Sequence, residues 1–171
     1  MAKDILTLPK QGIAQDSNMI RLCPLSVTKG KPLYCSRDGH FYNQHGRELR
    51  YHFSPYNRTP GRGCHNKKRG LQYPDMTGFG SIKCHLLIAL TWIGPRPEGY
   101  ECDHINGDIM NWSLDNLQEV TPAENRKRAR YLRVMRKCGF DPRIFLKNEL
   151  LYWFSLPFEE FKTFFEHYKN D

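Results

Sequence analysis

No apolar run in this chain is long enough to span a bilayer, so no membrane partner is expected. Met1-Ala2-Lys3-Asp4 leads into no long apolar core, which argues against a secretory signal peptide. None of the six cysteines (Cys23, Cys35, Cys64, Cys84, Cys102 and Cys138) forms a Cys-x-x-Cys pair, so no structural zinc is expected. Cys64-His65 and Cys84-His85 would make only a scattered Cys₂His₂ set. Reduced thiols and a cytoplasmic setting follow as the default. There is no internal repeat. Acidic side chains are in short supply, 18 against 26 lysines and arginines. The net charge of +8 and a pI near 9.2 favour a polyanionic partner.

The positive charge is clustered. Arg126, Lys127, Arg128, Arg130, Arg133, Arg136 and Lys137 lie on one predicted helix. Arg58, Arg62, Lys67, Lys68 and Arg69 lie in a Gly/Pro-containing loop over 54–70. At 171 residues the chain is one domain, or a small core with appendages. Residues 1–30 read as irregular, with a short strand near Met19 to Cys23. Residues 31–100 read as β-rich. They hold a hairpin from Leu33 to Ser36, a turn at Arg37-Asp38-Gly39, then strands at Phe41 to Asn43 and Glu48 to Phe53. Further strands are expected at Leu71 to Met76 and Gly80 to Cys84, and a short apolar helix over 86–93. Gly94-Pro95-Arg96-Pro97 is a linker. Residues 139–171 predict helices at Ile144 to Phe154 and Pro157 to Tyr168. In the second of these, Phe158, Phe161, Phe165 and Tyr168 form a packing stripe.

Residues 101–138 are the most informative. Glu101 to Ile105 reads as a strand, Asn106-Gly107 as a turn, and Leu117 to Thr121 as a second strand. Thr121 is a good helix N-cap, because its hydroxyl can accept from free N–H groups of the first turn. Pro122 follows at the first helical position, where its missing N–H costs nothing. Glu124 completes a Thr-x-x-Glu capping box, and Gly139 ends the helix. The order is strand, loop, strand, helix. Asp103, His104, Asn116 and Asn125 place a carboxylate, an imidazole and two amides within it. Those groups suit holding a divalent cation beside a water that attacks a phosphodiester.

The ordered set Asp103-His104-Ile105-Asn106-Gly107, Asn116-Leu117, Thr121-Pro122 and Glu124-Asn125 resembles the ββα-metal (His-Me finger) core of HNH endonucleases. The likeness is to the phage and mobile-element branch, which includes homing-type enzymes. Cys84 to Ile93 resembles the His-Leu-aliphatic helix before that core, and Tyr34 to Tyr42 the Ser-x-x-Gly-x-aromatic hairpin further upstream. The resemblance covers roughly residues 31 to 130. It implies an α+β fold, with a ββα-metal core preceded by a small antiparallel β-rich region and followed by C-terminal helices. It departs from the family at Asn111-Trp112-Ser113, where members often carry Asp-Asn-Arg. Trp112 is expected to pack over the loop.

The resemblance implies a role for each residue. His104 would be the general base. Asp103 and Asn125 would hold Mg²⁺ or Mn²⁺ through hard oxygens. Asn116 would pin the loop between the strands and help orient His104. Asp108 reads as a loop carboxylate, with an extra ligand as the alternative. Duplex DNA is the expected partner, held mainly by its backbone through Arg126, Lys127, Arg128, Arg130, Arg62, Lys67, Lys68 and Arg69. His85 would either pack or touch a phosphate. A monomer is favoured, in a bacterial or phage-infected cell. A catalytically silent DNA-binding protein and an RNA-directed module remain the competing readings.

Overall fold

Turn residues punctuate the N-terminal half into short strands. The computed structural model describes residues 20–53, 74–76, 78–79 and 82–170. Residues 1–19 and the basic stretch 54–70, with Arg62, Lys67, Lys68 and Arg69, lie outside the described residues, as do the first residues of the strands expected from Leu71 and from Gly80. The chain divides into two compact units, Met1–Ile93 and Gly94–Asp171.

In the first unit, β1 (Ile20–Leu22), β2 (Leu33–Ser36), β3 (Phe41–Asn43) and β4 (Glu48–Leu49) form an antiparallel sheet in sequence order. Leu33, Cys35 and Phe41 are fully buried or nearly so. Gly39 turns β2 into β3 at φ +93°, a left-handed conformation that suits glycine. The strand expected from Glu48 to Phe53 is divided. Its first part pairs with β3, while β5 (His52–Phe53) pairs with β6 (Pro74–Asp75) in a separate ladder. The strand expected to end at Cys84 is also corrected, because Cys84 opens helix α1 (Cys84–Trp92). Cys84, Leu87 and Ile88 are each 0 % exposed, a helical spacing that buries one side.

The second unit is α+β. β7 (Glu101–His104) pairs antiparallel with β8 (Leu117–Val120), opposing Asp103 to Gln118 and His104 to Leu117. Helix α2 (Pro122–Lys137) follows directly. The Thr121 hydroxyl accepts from Glu124 N at 3.2 Å, as an N-cap should. The other half of the predicted capping box is not made. Glu124 Oε1 instead accepts from Arg128 Nε at 3.1 Å, because a guanidinium one turn away is the stronger donor. The helix stops at Gly139 with φ +87°. Phe140 N donates to Met135 O and Gly139 N to Arg136 O, satisfying the last carbonyls in a Schellman arrangement.

A 3₁₀ turn at Pro142–Ile144, α3 (Lys147–Ser155) and α4 (Phe158–His167) complete the unit. The expected helix from Ile144 starts later because Asp141-Pro142 nucleates its own turn and Phe145 is extended. Leu156, which precedes Pro157, is also extended and separates α3 from α4. Ile105, Tyr131, Leu132, Met135, Leu150, Phe154, Phe161 and Phe165 share one apolar cluster. Phe161 and Phe165 fulfil the predicted stripe, whereas Tyr168 lies past the end of α4 and is half exposed.

Candidate active site

Strand alternation decides how the Asp103-His104 pair is used. Glu101 and Asp103 leave β7 on one face and His104 on the other. The Asp103 face receives α2. Asp103 Oδ2 lies 3.9 Å from Arg128 Nη1, and Glu101 Oε2 accepts from Asn125 Nδ2 at 2.7 Å. Asp103, Glu101, Asn125, Arg128 and Glu124 therefore form one polar cluster between the strand and the first turns of the helix.

Burial dominates the electrostatics of both members of the pair. It pushes the Asp103 carboxyl up to about 6, although Arg128 and the His104 backbone N–H favour its charged form. It pushes the His104 imidazole down to about 4, with the Asp108 carboxylate pulling the other way. His104 is thus neutral at ordinary pH and able to accept a proton.

The loop behind His104 is pinned by amides. Asn116 is buried. Its Oδ1 accepts from Asn106 N at 3.0 Å, and its Nδ2 donates to Asn111 O at 2.7 Å. Ile105 N donates to Asn116 O, which extends the ladder by one bond, and Gly107 N donates to His104 O. Asp108 is tied into the same loop, accepting from Met110 N. Gly107 has φ +69°, a left-handed conformation that favours glycine, and its Cα faces the side-chain ends of Arg136 and Leu132 on α2. Trp112 is buried at the rim of this loop.

The predicted DNA contacts separate by exposure. Arg126, Lys127 and Arg130 are exposed. Arg128 is turned inward, its side chain 12 % exposed between Asp103, Glu124 and the Phe154 ring. His85 is buried within α1. A pocket of about 420 Å³ lies beside the loop, lined by Gly107, Asp108, Arg136, Phe140 and Arg143 among others. Its arginines are engaged: Arg143 forks onto Asp141, and Arg136 faces the Asn106 and Gly107 carbonyls.

Residues 83–127 match the HNH endonuclease family. The chain carries an HNH domain. Within a 32-residue stretch it is 53% identical to Protein 3.8 of Escherichia phage T7, a match covering 19% of this chain and 26% of that protein. No solved structure matches the chain. The matched family is one of endonucleases, and the stretch shared with Protein 3.8 spans about a quarter of that protein. No helix among the described residues is long and apolar enough to cross a membrane.

The donor chemistry of the HNH domain fits a divalent cation. No group of three or more His, Cys, Asp or Glu suited to a metal occurs among the described residues. An amide oxygen, however, is also a hard ligand, and the Asp103 carboxylate and Asn125 amide both belong to the β7–α2 cluster. The sequence reading placed neither Glu101 nor Glu124 nor Arg128 in that cluster. Glu101 was signalled by its place two residues before Asp103 on a strand. The spacing of four from Glu124 allowed an ion pair with Arg128, but no local signal showed that Arg128 turns inward.

Proposed function

We propose that the chain is a divalent-metal-dependent endonuclease that hydrolyses phosphodiester bonds in duplex DNA. What supports this best is the convergence of Asp103 on β7 and Asn125 on α2 within one cluster, with His104 next to Asp103 on the strand. Asp103 and Asn125 would hold Mg²⁺ or Mn²⁺, which would supply Lewis-acid neutralisation of the charge that builds on the phosphate during hydrolysis. His104, kept neutral by burial, takes the proton of the attacking water. Asn116 fixes the loop that follows His104 and so limits the freedom of its backbone. Arg128 faces Asp103 and favours its charged form against the effect of burial; it is not one of the phosphate contacts.

The test is cleavage of supercoiled plasmid by purified protein. Nicked or linear product is expected with Mg²⁺ or Mn²⁺, none in excess chelator, and recovery when metal is restored. Undiminished cutting in chelator would overturn the metal mechanism. Plasmid binding without cutting in any metal would favour the silent scaffold, and cutting confined to an RNA substrate would favour the RNA-directed reading.

DNA affinity is expected to come largely from the exposed part of the basic helix. Each phosphate contact contributes a salt-dependent, sequence-independent increment. Replacing Arg126 and Lys127 by alanine should weaken binding to all sequences alike. It should also flatten the plot of log affinity against log salt by about 0.9 per lost contact. Arg128→Ala should leave that slope unchanged, because its side chain is already inside the cluster. Equal slopes for wild type and the double variant would remove this face from the DNA footprint.

A further inference from the structure

Glu101 is a carboxylate of the polar cluster that lies outside the proposed ligand pair. It is exposed on β7, and its side chain leaves the strand on the same face as Asp103. Its Oε2 accepts from Asn125 Nδ2 at 2.7 Å, which joins the start of β7 to the first turn of α2. This is a short, charge-assisted bond between residues far apart in sequence. An ionised carboxylate can only accept, and an amide can donate only from its NH₂ end. The partner therefore decides which way round the Asn125 amide lies. With Nδ2 on Glu101, Oδ1 is turned away from it. That oxygen is the one side-chain atom of Asn125 able to ligate a hard cation. The flipped amide would set two acceptors against each other at hydrogen-bond distance, leaving both without a donor.

We infer that Glu101 is a positioning residue that orients the Asn125 amide, so that its carbonyl oxygen joins Asp103 in the divalent-cation site. The inference rests on the metal-dependent reading above and adds the residue that makes an amide serve as a reliable ligand. Without a fixed partner, an asparagine side chain offers a cation its NH₂ as readily as its oxygen. An aspartate would not face that choice.

The experiment is Mn²⁺ binding to the full chain without DNA, followed by electron paramagnetic resonance, with a melting curve for every variant. Glu101 is exposed, so truncating it leaves the fold standing. Glu101→Ala should weaken Mn²⁺ binding about 10–100-fold, the usual effect of losing a group that orients a ligand. Glu101→Gln should recover only part of that loss, because its amide can accept from Asn125 Nδ2 or, turned round, donate to Oδ1, and so no longer dictates the orientation. Asn125→Asp supplies the decisive background. Both ends of that side chain are oxygens, so orientation no longer matters, and adding Glu101→Ala should cause no further weakening.

Equal weakening by Glu101→Ala in the wild-type and Asn125→Asp backgrounds would overturn positioning and make Glu101 a ligand in its own right. No weakening in the wild-type background would overturn it as well. The reading beneath it fails separately: a wild-type chain that binds no Mn²⁺, or binds it equally well after Asp103→Ala, has no cation site here. Loss of binding on Asp103→Ala and Asn125→Ala, with Glu101→Ala silent, removes the positioning role alone.

Discussion

Replacing His104 by alanine is expected to slow DNA cleavage by about 10²–10⁴-fold while leaving DNA affinity nearly unchanged. The two quantities separate because different groups supply them. Affinity for a nucleic-acid backbone comes from exposed cations, and His104 is buried. The rate depends on removing a proton from water as it attacks. Burial keeps the ring neutral down to about pH 4, so the base is unprotonated throughout the working range. Its place is set by the β7–β8 ladder and by the Gly107 N–H on its carbonyl. Because alanine also leaves a small void, His104→Asn is the companion variant. It keeps the polarity and much of the volume but cannot act as a base near neutral pH. Single-turnover cleavage and a separate binding titration check the result. Either variant cutting at near the wild-type rate would remove His104 from the chemistry.

Local signals carried much of the fold into the sequence. Thr121, Pro122 and Gly139 each act through one backbone feature, so α2 begins and ends where they place it. Asn106-Gly107 likewise marks a turn that needs a left-handed residue. Competition between partners was not legible. Glu124 sits correctly for a capping box, yet its carboxylate goes to Arg128, and nothing in the spacing ranks the two donors. Arg128 itself reads as one more cation on a basic helix. Only the approach of Asp103 from another element shows that it faces inward. Short apolar runs were ambiguous for a different reason. The residues around Cys84 suit a strand or a helix equally, and burial of Leu87 and Ile88 selects the helix. The Glu101–Asn125 bond joins residues that no local rule connects.

Phe161→Ala is expected to destabilise the second unit by about 3–5 kcal/mol, the usual range for truncating a fully buried aromatic core residue. Phe161 is 0 % exposed, with ring centroids 4.6 Å from Tyr131 and 4.6 Å from Phe165. Tyr131 belongs to α2 and also donates from its hydroxyl to Leu156 O at 2.6 Å. The aromatic cluster thus anchors α2 from behind, while Asn125 and Arg128 meet Glu101 and Asp103 of β7. Losing Phe161 removes dispersion contacts to α2, to α3 and within α4, and leaves a cavity that its aromatic neighbours fill only in part. Urea unfolding should show a lower midpoint with an unchanged slope, meaning less stability and the same surface exposed. Under conditions where the variant remains folded, its cleavage rate should stay close to wild type, because no atom of Phe161 belongs to the polar cluster. A loss below about 1 kcal/mol would mean that the site collapses freely and that α4 is not needed to hold α2 in place.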